Sequence, residues 1–173
     1  MSVTLISSAV DIFSSRLTTL ECLLNAGATH FSERGEVYLG KRIATDMYPL
    51  GAQVAFTCNQ PRNFSLWLSG DETTDLDPRV ESLSEALRVI RETKGLLELV
   101  VADDAVLCTN KRLALGAELY ADLTGYQYLN DFLIPNFYFH LVTAYAILRM
   151  SGVQIGKRDY MRHLIPHVKH GGA

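Results

Sequence analysis

The 173-residue chain reads as all-α, a four-helix bundle with a short irregular or hairpin segment before its last helix. Three observations predict this. Apolar residues recur at alternating three- and four-residue spacing from Val3 to Phe31, the sequence Ser82-Leu-Ser-Glu85 opens a further periodic stretch, and 17 residues from Phe132 to Leu148 carry no formal charge. With 48% apolar and 20% charged residues, one globular domain is expected. A chain of this size buries roughly 70% of the surface its unfolded form exposes, so stability requires neither disulfide nor metal.

The first helix carries Val3, Ile6, Val10, Phe13, Leu17, Leu20, Leu24, Ala28 and Phe31 on one stripe, and the Gly27 and Gly35 neighbourhood ends it. A seven-residue repeat of this length suits the shallow crossings of a bundle or a dimer seam. The second helix is expected from Asp46, whose carboxylate would accept the first free amides, with Pro49 in the first turn and Met47, Leu50, Val54 and Cys58 as its stripe. Pro61 predicts a kink or break before Phe64, and Ser69-Gly70-Asp71 closes the element. Residues 71–79 form an acidic polar connector without the alternation of a calcium loop.

The third helix opens with a capping box in which Ser82 takes the Glu85 amide and Glu85 returns to the Ser82 amide, followed by Leu83, Leu87, Ile90, Leu97 and Val101. Periodicity fades over 103–123, where apolar positions alternate around Gly116, giving an irregular segment or a small hairpin. Thr124 and Gln127 form a second capping box, and Gly152 stands where the last helix ends. Residues 1–162 are expected as one bundle domain and 163–173 as a frayed C-terminal tail.

The uncharged run contains Pro135, Asn136, His140 and Thr143, so it reads as the central helix of a bundle and not as a membrane span. Within it, Leu129, Leu133, Asn136, His140, Thr143 and Ile147 share a face, placing an amide and an imidazole one turn apart in an apolar stripe. An unpaired buried polar side chain costs on the order of 1 to 3 kcal/mol, so these groups require partners, an ion or a wet pocket. Gln53 lies beside the second stripe, with Asp46 and Tyr48 at its start. The candidate ligand-binding set is therefore Gln53, Asn136, His140, Asp46 and Tyr138, and His140 is the candidate catalytic residue. Tyr138 and Tyr145 flank the histidine on other faces.

The net charge is −3 and no run of five basic residues occurs, which excludes a nucleic-acid partner. Cys22, Cys58 and Cys108 sit in apolar surroundings and read as buried thiols of a reducing cytoplasm, and the N-terminus lacks the basic region of a signal peptide. Cys58 is one turn beyond Val54, within conceivable reach of His140 as a nucleophile and base pair. His163, His167 and His170 imitate a metal-ligand cluster, but Pro166 interrupts it; His30 suits the negative end of the first helix. No Gly-x-Ser-x-Gly elbow, P-loop or Gly-x-Gly-x-x-Gly sequence occurs.

The stretches Asp46-Met-Tyr-Pro-Leu-Gly-Ala-Gln53 and Pro135-Asn-Phe-Tyr-Phe-His140, with Thr143-Ala-Tyr-Ala-Ile-Leu-Arg149, Gly152-Val and Gly156-Lys-Arg-Asp159, resemble a bacterial family of unknown function. That family falls in the DinB and YfiT-like superfamily of four-helix bundles regarded as metalloenzymes. The resemblance spans nearly the whole chain. It implies a pocket at the position where the superfamily places one histidine on the second helix and a His-x-x-x-His pair on the fourth, a set suited to nickel or zinc. This chain has Asn136 in the first position of that pair, and Gln53 or a neighbour where the second-helix histidine is expected. Amide oxygens are weak ligands for such metals, so only His140 remains a good one and no metal-ligating set is assigned.

Two functions follow. One is a metal-free ligand-binding or interaction bundle, a cytoplasmic homodimer, with Gln53, Asn136 and His140 forming a pocket or core network around a small molecule. The other, implied by the superfamily, is a metal- or thiol-dependent transferase or isomerase using His140. Cofactor and substrate are left open by the sequence.

Overall fold

A computed structural model describes residues 4–32, 38–116, 118–169 and 171. Val3, Gly35 and His170, invoked above, lie outside the described residues. Three long helices come first: α1 (Leu5–Ser32), α2 (Leu50–Ser69) and α3 (Leu83–Glu98). A short 3-10 turn (Asp104–Cys108) leads into an antiparallel hairpin of β1 (Asn110–Ala114) and β2 (Tyr120–Thr124), with Arg112 opposite Asp122. One α-turn (Gly125–Gln127) and a π-helical stretch (Tyr128–Leu133) then run into α4 (Ile134–Met150). A brief α5 (Lys157–Tyr160) and a 3-10 turn (Arg162–His167) follow.

The α1 stripe closes on the bundle's own core. Ile6, Ala9, Phe13, Leu17, Leu20, Leu24 and Phe31 are all buried, so this heptad pattern is an internal seam rather than a free dimer face. Phe13 packs on Phe64 of α2 at 5.7 Å and edge-on to Phe137 of α4 at 5.0 Å, joining three helices at one point. The helix runs through Gly27 to Ser32, because Leu148 and Tyr38 fill the space beside that glycine. Its first amides, Leu5 and Ile6, donate to the Asp104 carboxylate at 2.8 and 3.0 Å. A residue far along the chain thus caps the N-terminus and opposes its positive dipole end.

Helix α2 departs from expectation twice. Its N-cap is Pro49, not Asp46, which lies in an exposed turn. The first two amides of the helix, Leu50 and Gly51, donate to the Lys41 and Leu39 carbonyls at 2.8 and 2.9 Å, and a Cβ on Gly51 would sit 1.9 Å from the Val80 carbonyl oxygen, so only glycine lets the connector lie against the first turn. Pro61 does not break the helix, which continues to Gly70 with the latter in the left-handed region at φ 78°. A proline in a helix interior costs about 3 kcal/mol, which burial of Phe64 alone only approaches at about 1.5–3 kcal/mol; Pro61 itself and Ser65 are buried with it.

Helix α3 has half of its expected box. Ser82 Oγ accepts from the Glu85 amide at 3.2 Å, but the Glu85 carboxylate accepts from the Glu81 amide and not from Ser82. Its buried face is Ala86, Val89, Ile90, Thr93 and Leu97, with Leu83 and Leu87 half-buried; the helix ends at Glu98 and leaves Val101 exposed. The Thr124 and Gln127 box forms in both directions, at 3.2 and 2.9 Å, and α4 ends before Gly152 as expected.

Helix α4 is less enclosed than a central helix. Phe137, Leu141, Ala144, Ile147 and Leu148 are buried, while Phe139, Val142 and Met150 are exposed. No described helix is long and apolar enough to cross a membrane. The first residues of the expected tail, 163–167, fall in the 3-10 turn Arg162–His167, which lies against α1.

Candidate functional site

Helices α2 and α4 share the most extensive helix contact, and the polar residues of that seam resolve into two kinds. Most bond to their own helix: Thr57 Oγ1 donates to the Gln53 carbonyl at 2.7 Å and Thr143 Oγ1 to Phe139 at 2.7 Å. Asn136 Nδ2 likewise donates to the Phe132 carbonyl at 2.9 Å, so the expected amide partner of His140 is taken up by its own backbone. Gln53 and His140 instead bond to each other, His140 Nδ1 lying 2.8 Å from Gln53 Oε1.

The chemistry of that pair is fixed by its second contact. Gln53 is 3% exposed, and its Nε2 donates to the Tyr48 carbonyl at 3.1 Å, which turns Oε1 toward the imidazole. An amide oxygen only accepts, so Nδ1 carries the proton and Nε2 keeps a lone pair. Burial disfavours the charged ring and lowers its pKa from 6.5 to about 4, leaving it neutral at physiological pH. Phe56 and Phe139 sit against the ring at 5.0 and 5.1 Å, and Tyr48 packs edge-on to Phe56 at 4.9 Å.

His140 forms part of the wall of a cavity of about 420 Å³ between α2, the connector, the hairpin and the π-helical stretch. Asn59, Asn63, Asp75, Lys111 and Phe132 also line it. Asn59 Oδ1 accepts from the Leu76 amide at 2.8 Å, pinning the connector, while Asn63 Nδ2 donates to Asp75 at 3.3 Å. Asn63 Oδ1 is buried with no hydrogen-bond partner. Lys111 lies over the Tyr128 ring, 5.6 Å from its centroid.

The structure therefore joins two of the five expected site residues. Asp46 is exposed ahead of α2, and half-buried Tyr138 packs on Phe137 at 5.6 Å. Cys58 does not face His140: it is fully buried beside Thr93 of α3, and burial pushes its thiol up to about 12, too high for a nucleophile at neutral pH. His30 lies in the last turn of α1 as expected, its Nε2 buried without a partner near Gly152. Asn59, Asn63, Asp75 and Lys111 were missed. Asn59 and Asn63 stand one turn apart on α2, a legible signal; Asp75 and Lys111 reach the cavity only through the folding of the connector and hairpin.

The donor set does not fit the superfamily's metal. Among the described residues no three histidine, cysteine, aspartate or glutamate side chains are grouped to hold an ion. Gln53 Oε1 is already engaged by His140 and Asn136 turns its amide to the backbone.

No curated protein matches the chain. A crystal structure of a DinB family member protein from Shewanella denitrificans is 29% identical, with 88% of each chain covered, and superposes with a TM-score of 0.77. The chain thus has a DinB-like fold. The model of a domain of unknown function, DUF1993, matches residues 5–161, and the chain belongs to that family.

Proposed function

We propose that the cavity beside His140 binds a small organic molecule without a metal, and that His140 serves there as an oriented hydrogen-bond acceptor. The observation that carries this reading is the Gln53 and His140 pair, which holds one tautomer and leaves Nε2 to accept. The cavity volume of about 420 Å³ falls within the range of small-molecule sites. Asn59, Asn63 and Asp75 give the same wall further polar surface. Ligands bearing hydroxyl, amine or amide donors are the matching class.

The transferase or isomerase reading draws less support. A ring whose pKa is about 4 is a weak general base, since proton transfer is most effective when the pKa lies near working pH.

The test uses the full chain, purified without nickel resin, and histidine-side-chain NMR. The free protein should show the Nδ1–H tautomer at His140, and fragments carrying donor groups should shift its Nε2 resonance saturably. Gln53→Leu, which frees the ring to rotate, should abolish those shifts while the helical circular dichroism persists. Near-stoichiometric zinc, nickel or iron that is lost in His140→Ala would overturn the reading in favour of a metalloenzyme.

A further inference from the structure

Helix α4 and the π-helical stretch before it carry a long face that no described element covers. Asp131, Pro135, Phe139, Val142, Ala146 and Arg149 recur at spacings of four, four, three, four and three residues, which sets them along one side of the helical run. Phe139 is 60% exposed and Val142 46%, while Phe137, Leu141 and Ala144 on the opposite side are fully buried. Between Asp131 and Arg149 the face carries no formal charge over about 25 Å of helix. It continues onto α2 through a chain of rings, Phe139 to His140 at 5.1 Å, His140 to Phe56 at 5.0 Å and Phe56 to Tyr48 at 4.9 Å, and Tyr48 is 60% exposed. A single exposed apolar residue is ordinary, whereas a contiguous uncharged patch marks a surface that another body covers.

The order of residues on this face specifies that body. Turned about a two-fold axis near residue 140, Phe139 meets Val142, Pro135 meets Ala146, and Asp131 meets Arg149. Each larger side chain then faces a smaller one, and each exposed terminal charge faces its opposite. A parallel arrangement would set carboxylate on carboxylate and guanidinium on guanidinium. The α1 stripe is buried inside the bundle and offers no such face. We propose that two copies of this chain associate through antiparallel α4 helices, forming an isologous two-fold dimer. Val142 of the partner subunit covers Phe139, whose ring lies against His140, so the second copy shields one side of the Gln53 and His140 pair from water.

The experiment measures the mass and the association constant of the full chain by sedimentation equilibrium at micromolar concentrations. A species of twice 19.3 kDa is expected. Val142→Glu, which brings two carboxylates together near the axis, should weaken association about a hundredfold or more while the helical circular dichroism persists. Asp131→Arg and Arg149→Asp should each weaken it about tenfold, an effect that fades at high salt. Mixed together, these two single variants should form a heterodimer tighter than either homodimer, because every terminal charge again faces its opposite. A 19.3 kDa species throughout the concentration range would overturn the proposal. So would a dimer that survives Val142→Glu, or a mixture of the two charge variants that associates no more tightly than each alone.

Discussion

The α1 stripe and the α2 and α4 seam have the same helical spacing and opposite chemistry. Along α1, Phe13, Leu17, Leu20 and Leu24 are 0% exposed, and nothing polar intrudes but Thr19. Thr19 returns its hydroxyl to the Ser15 carbonyl at 3.3 Å. On the seam, Gln53, Thr57, His140 and Thr143 break the apolar pattern. The threonines satisfy themselves on their own helices and require nothing across the interface, whereas Gln53 and His140 are complete only together. A buried polar group that bonds within its own helix is compatible with any neighbour; one that bonds across specifies its neighbour and marks a site.

The largest expected effect is on the α1 side. Phe13→Ala should cost about 3–5 kcal/mol, as for other large aromatic truncations in cores, read from urea unfolding. A loss below about 1 kcal/mol would show that the three-ring junction is not the centre of the fold.

On the seam, Gln53→Leu should cost about 1–3 kcal/mol by leaving the His140 Nδ1 proton without its acceptor. Burial of the same imidazole makes stability depend on pH. The ring protonates near 6.5 in the unfolded chain and near 4 in the fold, so the unfolded state binds more protons between those values. This contribution is complete above about 6.5 and is lost as pH falls toward about 4. Denaturation midpoints of His140→Phe should lack that slope; an unchanged slope would contradict the neutral, desolvated ring.

Smaller again is the cap that opens the last helical run. Thr124→Ala should cost about 1 kcal/mol in thermal unfolding and leave the Gln53 and His140 tautomer unaltered. A disturbed His140 resonance would mean that the cap, and not the seam, orients the ring.

Much of this was legible because it is local. The α1 stripe, the Thr124 box, the Gly152 terminus and the hairpin around Gly116 follow from spacing and turn chemistry within a few residues. The Gln53 and His140 pairing was legible as a need for partners on facing stripes. Asn136 was misassigned because a periodic face does not reveal that an amide can return to its own backbone. Asp46 was displaced from α2 because the first helical amides, Leu50 and Gly51, are taken by the Lys41 and Leu39 carbonyls, so no carboxylate cap is needed there. Pro61 was overruled by the burial of its neighbours, and the histidine turn was read as fraying because its docking surface is on α1.

The π-helical stretch Tyr128–Leu133 has a consequence for how the chain tolerates insertion and deletion. It precedes Pro135, which lacks the amide that a regular turn would direct at Asp131. A π-turn holds one residue more than an α-turn, and each residue rotates a helix by about 100°. Deleting Asn130 would regularise the helix and swing His140 through about that angle relative to the hairpin. Because Phe137, Leu141, Ala144 and Ile147 lock α4 into the core, the rotation would be taken up by the hairpin, and the Gln53 and His140 pair would stay while the hairpin left the cavity. A chain lacking that residue would keep the bundle and the Gln53 and His140 pair, yet lose the cavity wall that Lys111 to Ala114 supply.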